Sequence, residues 1–175
     1  MGRRVDEMLR VDHAGEYGAV AIYRGQRAVF GGRGKTRRIA RTIEGMEREE
    51  QRHLDAFDDL LLTRRVRPTA LAPVWNAAGF ALGAATALIG ERAAHACTEA
   101  VESVIEEHYQ DQVDELERAD AEPELAETFA AFRADELAHK ETAIEGGAQD
   151  APGYPLLSAL IKAGCRLAIR VSEKI

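Results

Sequence analysis

The residues of this chain best suited to chemistry are carboxylates and imidazoles set at repeated intervals. Glu50–His53 reads "EQRH" and Glu136–His139 reads "ELAH", two copies of Glu-x-x-His. Residues three apart share a helix face, so each copy can aim one carboxylate and one imidazole at a single cation. Alone the motif is weak. With 20 Glu and 5 His in 175 residues, chance supplies about 0.6 matches, and a lone copy reads as a solvated helix face. The intervals strengthen it. Glu16 precedes Glu50 by 34 residues and His53 by 37, and Glu102 precedes Glu136 by 34 and His139 by 37. The set therefore recurs at an offset of 86 residues, as a duplicated helical hairpin would give: Glu on the first helix, Glu-x-x-His on the second.

Hairpin geometry brings these six side chains to one level. The first turn centres near residues 31 to 34, so Glu16 and Glu50 stand at similar heights at 1.5 Å rise per residue. The second turn, near Asp120, does the same for Glu102 and Glu136. Ile39, Ile43, Met46, Glu50, His53, Leu54, Phe57 and Leu61 form one stripe, which sets the ligands inside an apolar face. Carboxylates buried together repel one another, and two divalent cations remove that conflict. Oxygen donors mixed with imidazole suit iron or manganese. Glu16, Glu50, His53, Glu102, Glu136 and His139 are thus the expected ligands of a two-ion carboxylate centre.

Other candidates are weaker. His13, three residues before Glu16, could ligate but better suits a helix start or a place behind the ligands. Glu106 and Tyr109 share a face with Glu102, and either could hydrogen-bond a ligand; Glu106 could also replace Glu102. His108 flanks that face. His95 reads as structural and Glu47 as a salt-bridge residue. Gly15 and Gly18 would let a helix or substrate approach the backbone, whereas Gly25 reads as ordinary packing. "GFALG", Gly79–Gly83, follows no strand and so lacks the setting of a dinucleotide site.

The elements that must position these residues are helices, because helical periodicity runs nearly throughout. The pattern predicts helices over 4–30, 35–65, 71–89, 91–118, 123–145 and 155–174, with stops at Gly31, Gly32 and Gly34, before Pro68, and at Gly146-Gly147. Short loops favour antiparallel neighbours. The expected fold is all-α: one ferritin-like domain over 1–175, a four-helix bundle from duplicated hairpins (4–65 and 91–146) plus two added apolar or amphipathic helices. A net charge of −7 argues against nucleic acid as a partner. Cys97 and Cys165 form no Cys-x-x-Cys pair and read as buried thiols in a reducing compartment. With charged residues from Arg3, no signal or transit segment is expected at the start, and the chain reads as bacterial and unexported or as a processed organellar form.

The segment "LAPVWNAAGFALGAATALIG" carries no charge over 20 residues. A full span would put the two hairpins on opposite sides of a bilayer, so a helix lying on or dipping into the interface is expected, with Trp75 near the headgroups; a buried packing helix is the alternative. On the last helix Lys162, Arg166, Arg170 and Lys174 recur every four residues, opposite Leu156, Leu160, Leu167, Ala168 and Val171. Such a basic amphipathic helix suits an anionic membrane surface or is a plain surface helix. Arg64, Arg65 and Arg67 could add headgroup contacts.

"RVDHAGEYGA", "EQRHLDAF", "RVRPT", "PVWNAAGFALGAATALIG", "ACTEAVESVIEEHY", "DELAH" and "AGCRLAIRVSEKI" resemble the demethoxyubiquinone hydroxylases of ubiquinone biosynthesis over essentially the whole chain. The resemblance implies a ferritin-like bundle bound peripherally to the membrane, on the cytoplasmic face of a bacterial inner membrane or the matrix side of a mitochondrial one. It implies a di-iron monooxygenase that uses O2 to hydroxylate the ring of a polyprenyl demethoxyquinone, with NADH as reductant. The same six residues are its implied iron ligands, and His108 and Tyr109 its His-Tyr pair behind them. Partners stay open between a homo-oligomer and a biosynthetic complex. The competing readings keep the metals in an iron oxidase or peroxide scavenger, or dispense with them in a lipid-binding scaffold.

Overall fold

The computed structural model describes residues 2–31 and 34–174. Six α-helices appear among them: α1 (Gly2–Phe30), α2 (Arg37–Arg64), α3 (Ala72–Ile89), α4 (Glu91–Arg118), α5 (Pro123–Glu145) and α6 (Tyr154–Ser172), with 3-10 turns at Gly34–Thr36 and Ala148–Asp150. Each boundary lies within a few residues of the expected one, because local chemistry sets the stops. α1 gives way to Gly31 at φ 63°, a left-handed conformation that costs glycine little. α2 ends in a left-handed Arg65 whose neighbour Val66 bonds back to Leu61 O at 2.9 Å, the hydrogen-bond pattern that satisfies terminal carbonyls. Pro123 opens α5, where its missing N–H would be unpaired anyway. Gly32, expected among the stops, lies outside the described residues.

Side-chain pairs give the helix directions. Arg27–Glu47 and His13–Asp58 run α1 and α2 antiparallel. Arg4–Glu115 and Gln26–Ala94 do the same for α1 and α4, and Glu106–Arg133 for α4 and α5. His139–Glu49 and Arg64–Glu122 close the circuit by setting α2 antiparallel to α5. α3 is the crossover that joins the hairpins, and it runs parallel to α1, pairing Gly79 with Gly18 and Gly83 with Ile22.

The interior is layered. Met8, Leu9, Phe57, Leu61, Tyr109, Leu116 and Phe129 form one apolar cluster, and Tyr23, Ile39, Ile43, Met46 and Ala94 form another. The expected α2 stripe is buried along its full length, from Ile39 to Leu61. Glu16, Glu50, His53, Glu102, Glu136 and His139 occupy the level between the clusters.

Glycine roles meet expectation in part. A Cβ at Gly15 or Gly18 would meet nothing within 4 Å, but α3 does approach the Gly18 backbone, since a Cβ at Gly79 would lie 2.7 Å from Gly18 O. A Cβ at Gly25, read as ordinary packing, would lie 2.2 Å from Phe80 O, and one at Gly83 only 2.0 Å from Ile22 O. The close seam is α1 on α3, and "GFALG" supplies its glycines. α3 is the one helix among the described residues long and apolar enough to cross a membrane by length and composition. It lies along α1, burying Gly79, Gly83, Thr86 and Ala87 and leaving Val74, Phe80, Leu88 and Ile89 exposed. The basic stripe of α6 is partly spoken for, since Lys162 pairs with Glu99 and Arg166 with Glu107, both at 3.0 Å. Leu156, Leu160 and Leu167 are exposed. Arg64 is engaged by Glu122. Cys97 and Cys165 are unbridged; burial pushes their thiols up to about 12 and about 11.

Candidate metal centre

The six spaced residues converge. Glu16, Glu50, His53 and Glu136 form one group whose donor atoms lie within 4.8 Å of one another, and Glu50, Glu102, Glu136 and His139 form a second. Glu50 and Glu136 belong to both. Glu16 with His53 is particular to the first, Glu102 with His139 to the second. All six are at most 2% exposed.

Their hydrogen bonding is incomplete in a specific way. Both carboxylate oxygens of Glu50 and of Glu136, Oε2 of Glu16 and of Glu102, and Nδ1 of both histidines are buried without a hydrogen bond. His53 Nδ1 is 3.3 Å from Glu136 and His139 Nδ1 2.9 Å from Glu50, close but outside hydrogen-bond geometry. Orphaned buried polar atoms are costly, and eight converging on one spot make a donor set in search of cations.

Electrostatics agree. Burial, then the charges of Glu136 and Glu16, push Glu50 well above the usual carboxylate range. Burial and Glu136 do the same to Glu102. Burial works against Glu136 too, but contacts with His139 and His53 hold it down to about 2. Burial opposes charging of the two rings; the carboxylates outweigh it and raise His53 to about 11 and His139 to about 12. The cluster therefore holds extra protons unless cations replace them, and two divalent ions balance four carboxylates. Hard oxygen donors with two imidazoles fit iron or manganese.

A model of the family "Ubiquinone biosynthesis protein COQ7" matches residues 3–172. The chain belongs to this family. It is 51% identical to a 3-demethoxyubiquinol 3-hydroxylase of Rhodospirillum rubrum, over 98% of the chain and 78% of that protein. It is 49% identical to a rat mitochondrial protein named NADPH-dependent 3-demethoxyubiquinone 3-hydroxylase, over 97% and 77%. The yeast mitochondrial 5-demethoxyubiquinone hydroxylase is 41% identical, over 98% and 78%.

In this COQ7-family chain the contacts behind the candidate donors repeat as the donors do. His53 Nε2 lies 3.0 Å from Asp135 and His139 Nε2 2.7 Å from Glu49. A carboxylate on the far nitrogen fixes ring orientation and presents the near nitrogen. The sequence reading passed over both acids, although each stands just before a Glu of Glu-x-x-His ("EEQRH", "DELAH") and the two are 86 apart. It also passed over Tyr23, which donates to Glu102 at 2.5 Å; its counterpart 86 residues on, Tyr109, donates to Glu16. Burial, followed by the nearby glutamates, raises both phenols well above their ordinary value, so both stay donors.

The remaining candidates divide. Glu106 does not replace Glu102: it turns to Arg133 and Lys140, at 2.7 and 3.5 Å. His13 lies within α1 rather than at its start and bonds Asp58 at 3.0 Å. His108 sits 3.2 Å from Asp12, one turn before Glu16 on α1, and 3.0 Å from Gln112. Glu47 pairs with Arg24 and Arg27, as expected of a salt-bridge residue. His95 packs against Gly146, where burial lowers its basicity.

Proposed function

We propose that this chain is a di-iron monooxygenase that hydroxylates the ring of a demethoxyubiquinone-type polyprenyl quinone or quinol in ubiquinone biosynthesis. The observation that carries the reading is the pair of overlapping donor groups sharing Glu50 and Glu136, in a chain whose relatives are named for this hydroxylation. Glu16 and His53 would hold one iron, Glu102 and His139 the other, with Glu50 and Glu136 common to both. Bound iron supplies the O2-dependent redox chemistry. The balance is one ring C–H converted to C–OH and one O2 consumed, with two electrons and two protons forming water. The electrons come from a reduced nicotinamide nucleotide; the sequence reading expected NADH, and the names of several relatives specify NADPH.

The chain's own residues set the conditions for that reaction. Asp135 and Glu49 orient the imidazoles. Tyr109 donates to Glu16, and one turn away on α1 Asp12 holds His108, whose side chain is 16% exposed, so this pair would be the nearest titratable link between Glu16 and the surface. The apolar clusters above and below keep water from the reacting atoms. Ile22, Val101, Ile161, Leu82 and Cys165 form an apolar floor between α3 and α6, next to Glu102 on α4. The quinone ring would enter there, its tail lying along the exposed apolar residues of both helices. The protein would work from the membrane surface, on the cytoplasmic or matrix side, without spanning it.

The test is anaerobic loading with ferrous iron, then a short-tailed demethoxyubiquinone, reduced nicotinamide nucleotide and 18O2. Mass spectrometry should find a product heavier by one 18O atom. Two irons per chain with no oxygenated product overturns the hydroxylase reading and leaves the iron-oxidase one.

A further inference from the structure

The four glutamates of the centre differ in how their oxygens are engaged. Glu50 and Glu136, which belong to both donor groups, have both oxygens buried without a hydrogen bond. Glu16 and Glu102, each in a single group, have one oxygen tied and one untied. Oε1 of Glu102 accepts from Tyr23 and Oε1 of Glu16 from Tyr109, while Oε2 of each has no hydrogen bond. Tyr23 also sets its ring edge-on to His139, with centroids 6.2 Å apart and planes at 77°. It thus touches both residues that distinguish the second donor group.

We propose that Tyr23 is a positioning residue for the second ion: its hydroxyl occupies Oε1 of Glu102 and leaves Oε2 as the one atom offered to the cation. This deepens the reading of the two-ion centre and rests on it. A carboxylate with two free oxygens can chelate one ion or join two; one with an oxygen already accepting from a phenol is biased toward binding through the other oxygen. The tyrosines would thereby sort the glutamates: Glu16 and Glu102 each have one oxygen tied, while Glu50 and Glu136, common to both donor groups, keep both oxygens for the ions they would hold. Duplication supports the assignment. Tyr23 follows Glu16 by seven residues, as Tyr109 follows Glu102. Because α1 and α4 run antiparallel, each tyrosine reaches the glutamate of the other helix.

The experiment is stepwise anaerobic Co(II) titration of the full chain, with metal content measured by mass spectrometry, and 57Fe Mössbauer spectra of the ferrous protein. Wild type should bind two ions. Tyr23→Phe, which keeps the ring, should weaken one of the two by about tenfold, the scale for losing a support behind a ligand, and alter one of the two ferrous signals. Tyr109→Phe should weaken one as well, and the double variant both. A merely structural tyrosine would shift the melting temperature and leave affinities and spectra unchanged; that result overturns the proposal. If Tyr23→Phe does not fold, 3-fluorotyrosine at position 23 keeps the packing and makes a stronger donor. It should perturb the same single ion, and unchanged spectra would again overturn the assignment. A wild-type chain that takes up no pair of ions refutes the centre itself. Two wild-type ions with an indifferent Tyr23→Phe refutes only the role of Tyr23.

Discussion

The two helices outside the duplicated hairpins, α3 and α6, both turn leucine-class residues to solvent, yet they are held by opposite means. α3 meets α1 backbone to backbone: Gly79 against Gly18 O, Gly83 against Ile22 O, and Gly25 against Phe80 O. Small residues at such spacing let helix axes approach closely, so dispersion and Cα–H···O contacts replace side-chain interlocking. α6 is fastened by polar side chains around Glu99 of α4, which accepts from Lys162 at 3.0 Å, Tyr154 at 3.1 Å and Ser158 at 3.4 Å. Ile161 adds apolar contact with Cys97, Ala100 and Val101. The first attachment has no adjustable part. The second depends on charges that can be titrated. α1 carries Glu16 and Tyr23, so the rigid seam fixes the apolar surface of α3 relative to the centre, while α6 is the element that can yield.

The sharpest way to break this contrast is to add one carbon to the seam. Gly83→Ala puts a methyl 2.0 Å from Ile22 O, a backbone atom that cannot turn away. Alanine gains about 1 kcal/mol in helix propensity, but α3 must lift off α1, and the net loss should be about 3 kcal/mol. Chemical denaturation would measure it. Gly18→Ala, whose Cβ meets nothing within 4 Å, should match or slightly exceed wild type. Equal stabilities for the two variants would show that the seam is looser than its geometry.

The same seam marks where sequence reading ran out. The six donors were legible because duplication wrote them twice at fixed spacing, and helix ends because Gly31, Pro123 and Gly146 act locally. Which glycine meets a neighbour's backbone depends on how α3 docks, which no local pattern encodes: Gly25 reads only as packing and Gly83 only as part of "GFALG", and of Gly15 and Gly18 it is Gly18 that α3 approaches, at its carbonyl. The charges of α6 likewise looked like a free basic face, until Glu99 and Glu107 on α4 proved to claim two of them. Tyr23, Glu49 and Asp135 were within reach, since each obeys the 86-residue offset. Only carboxylates and imidazoles were carried across it, and the residues behind them were not.

An intermediate effect is expected at the α6 clamp. Burial raises the carboxyl of Glu99, but Lys162, Ser103 and Tyr154 outweigh it and hold it below the ordinary value near 4.5. A depressed carboxylate contributes stability that is complete above its unfolded value and lost as pH falls through the lower folded one. Amide exchange in α6 should therefore quicken as pH drops below about 4.5, while the α1–α3 seam, which has no titratable contact of this kind, keeps its protection. Lys162→Met should loosen α6 by about 2 kcal/mol even at pH 7, because it leaves Glu99 buried with a charge and one partner fewer. If exchange in α3 and α6 responds alike to acid, the two attachments are not distinct.

The smallest effect belongs to a hydrogen bond between the two helices. Trp75 at the start of α3 donates Nε1–H to Ser172 Oγ at the end of α6, at 2.9 Å. Ser172 is buried, so Ser172→Ala leaves the indole N–H short of an acceptor and should cost about 1 kcal/mol. The chain has one tryptophan, so its emission reports the surroundings of Trp75, this contact included. In the variant the emission should shift, and acid should shift it further in wild type as the Glu99 clamp releases α6. Should α6 instead stay seated through the wild-type acid transition, with Trp75 emission unmoved, then Ser172 is held by α3 rather than by the clamp. The rigid attachment would then extend to both helices through this one hydrogen bond.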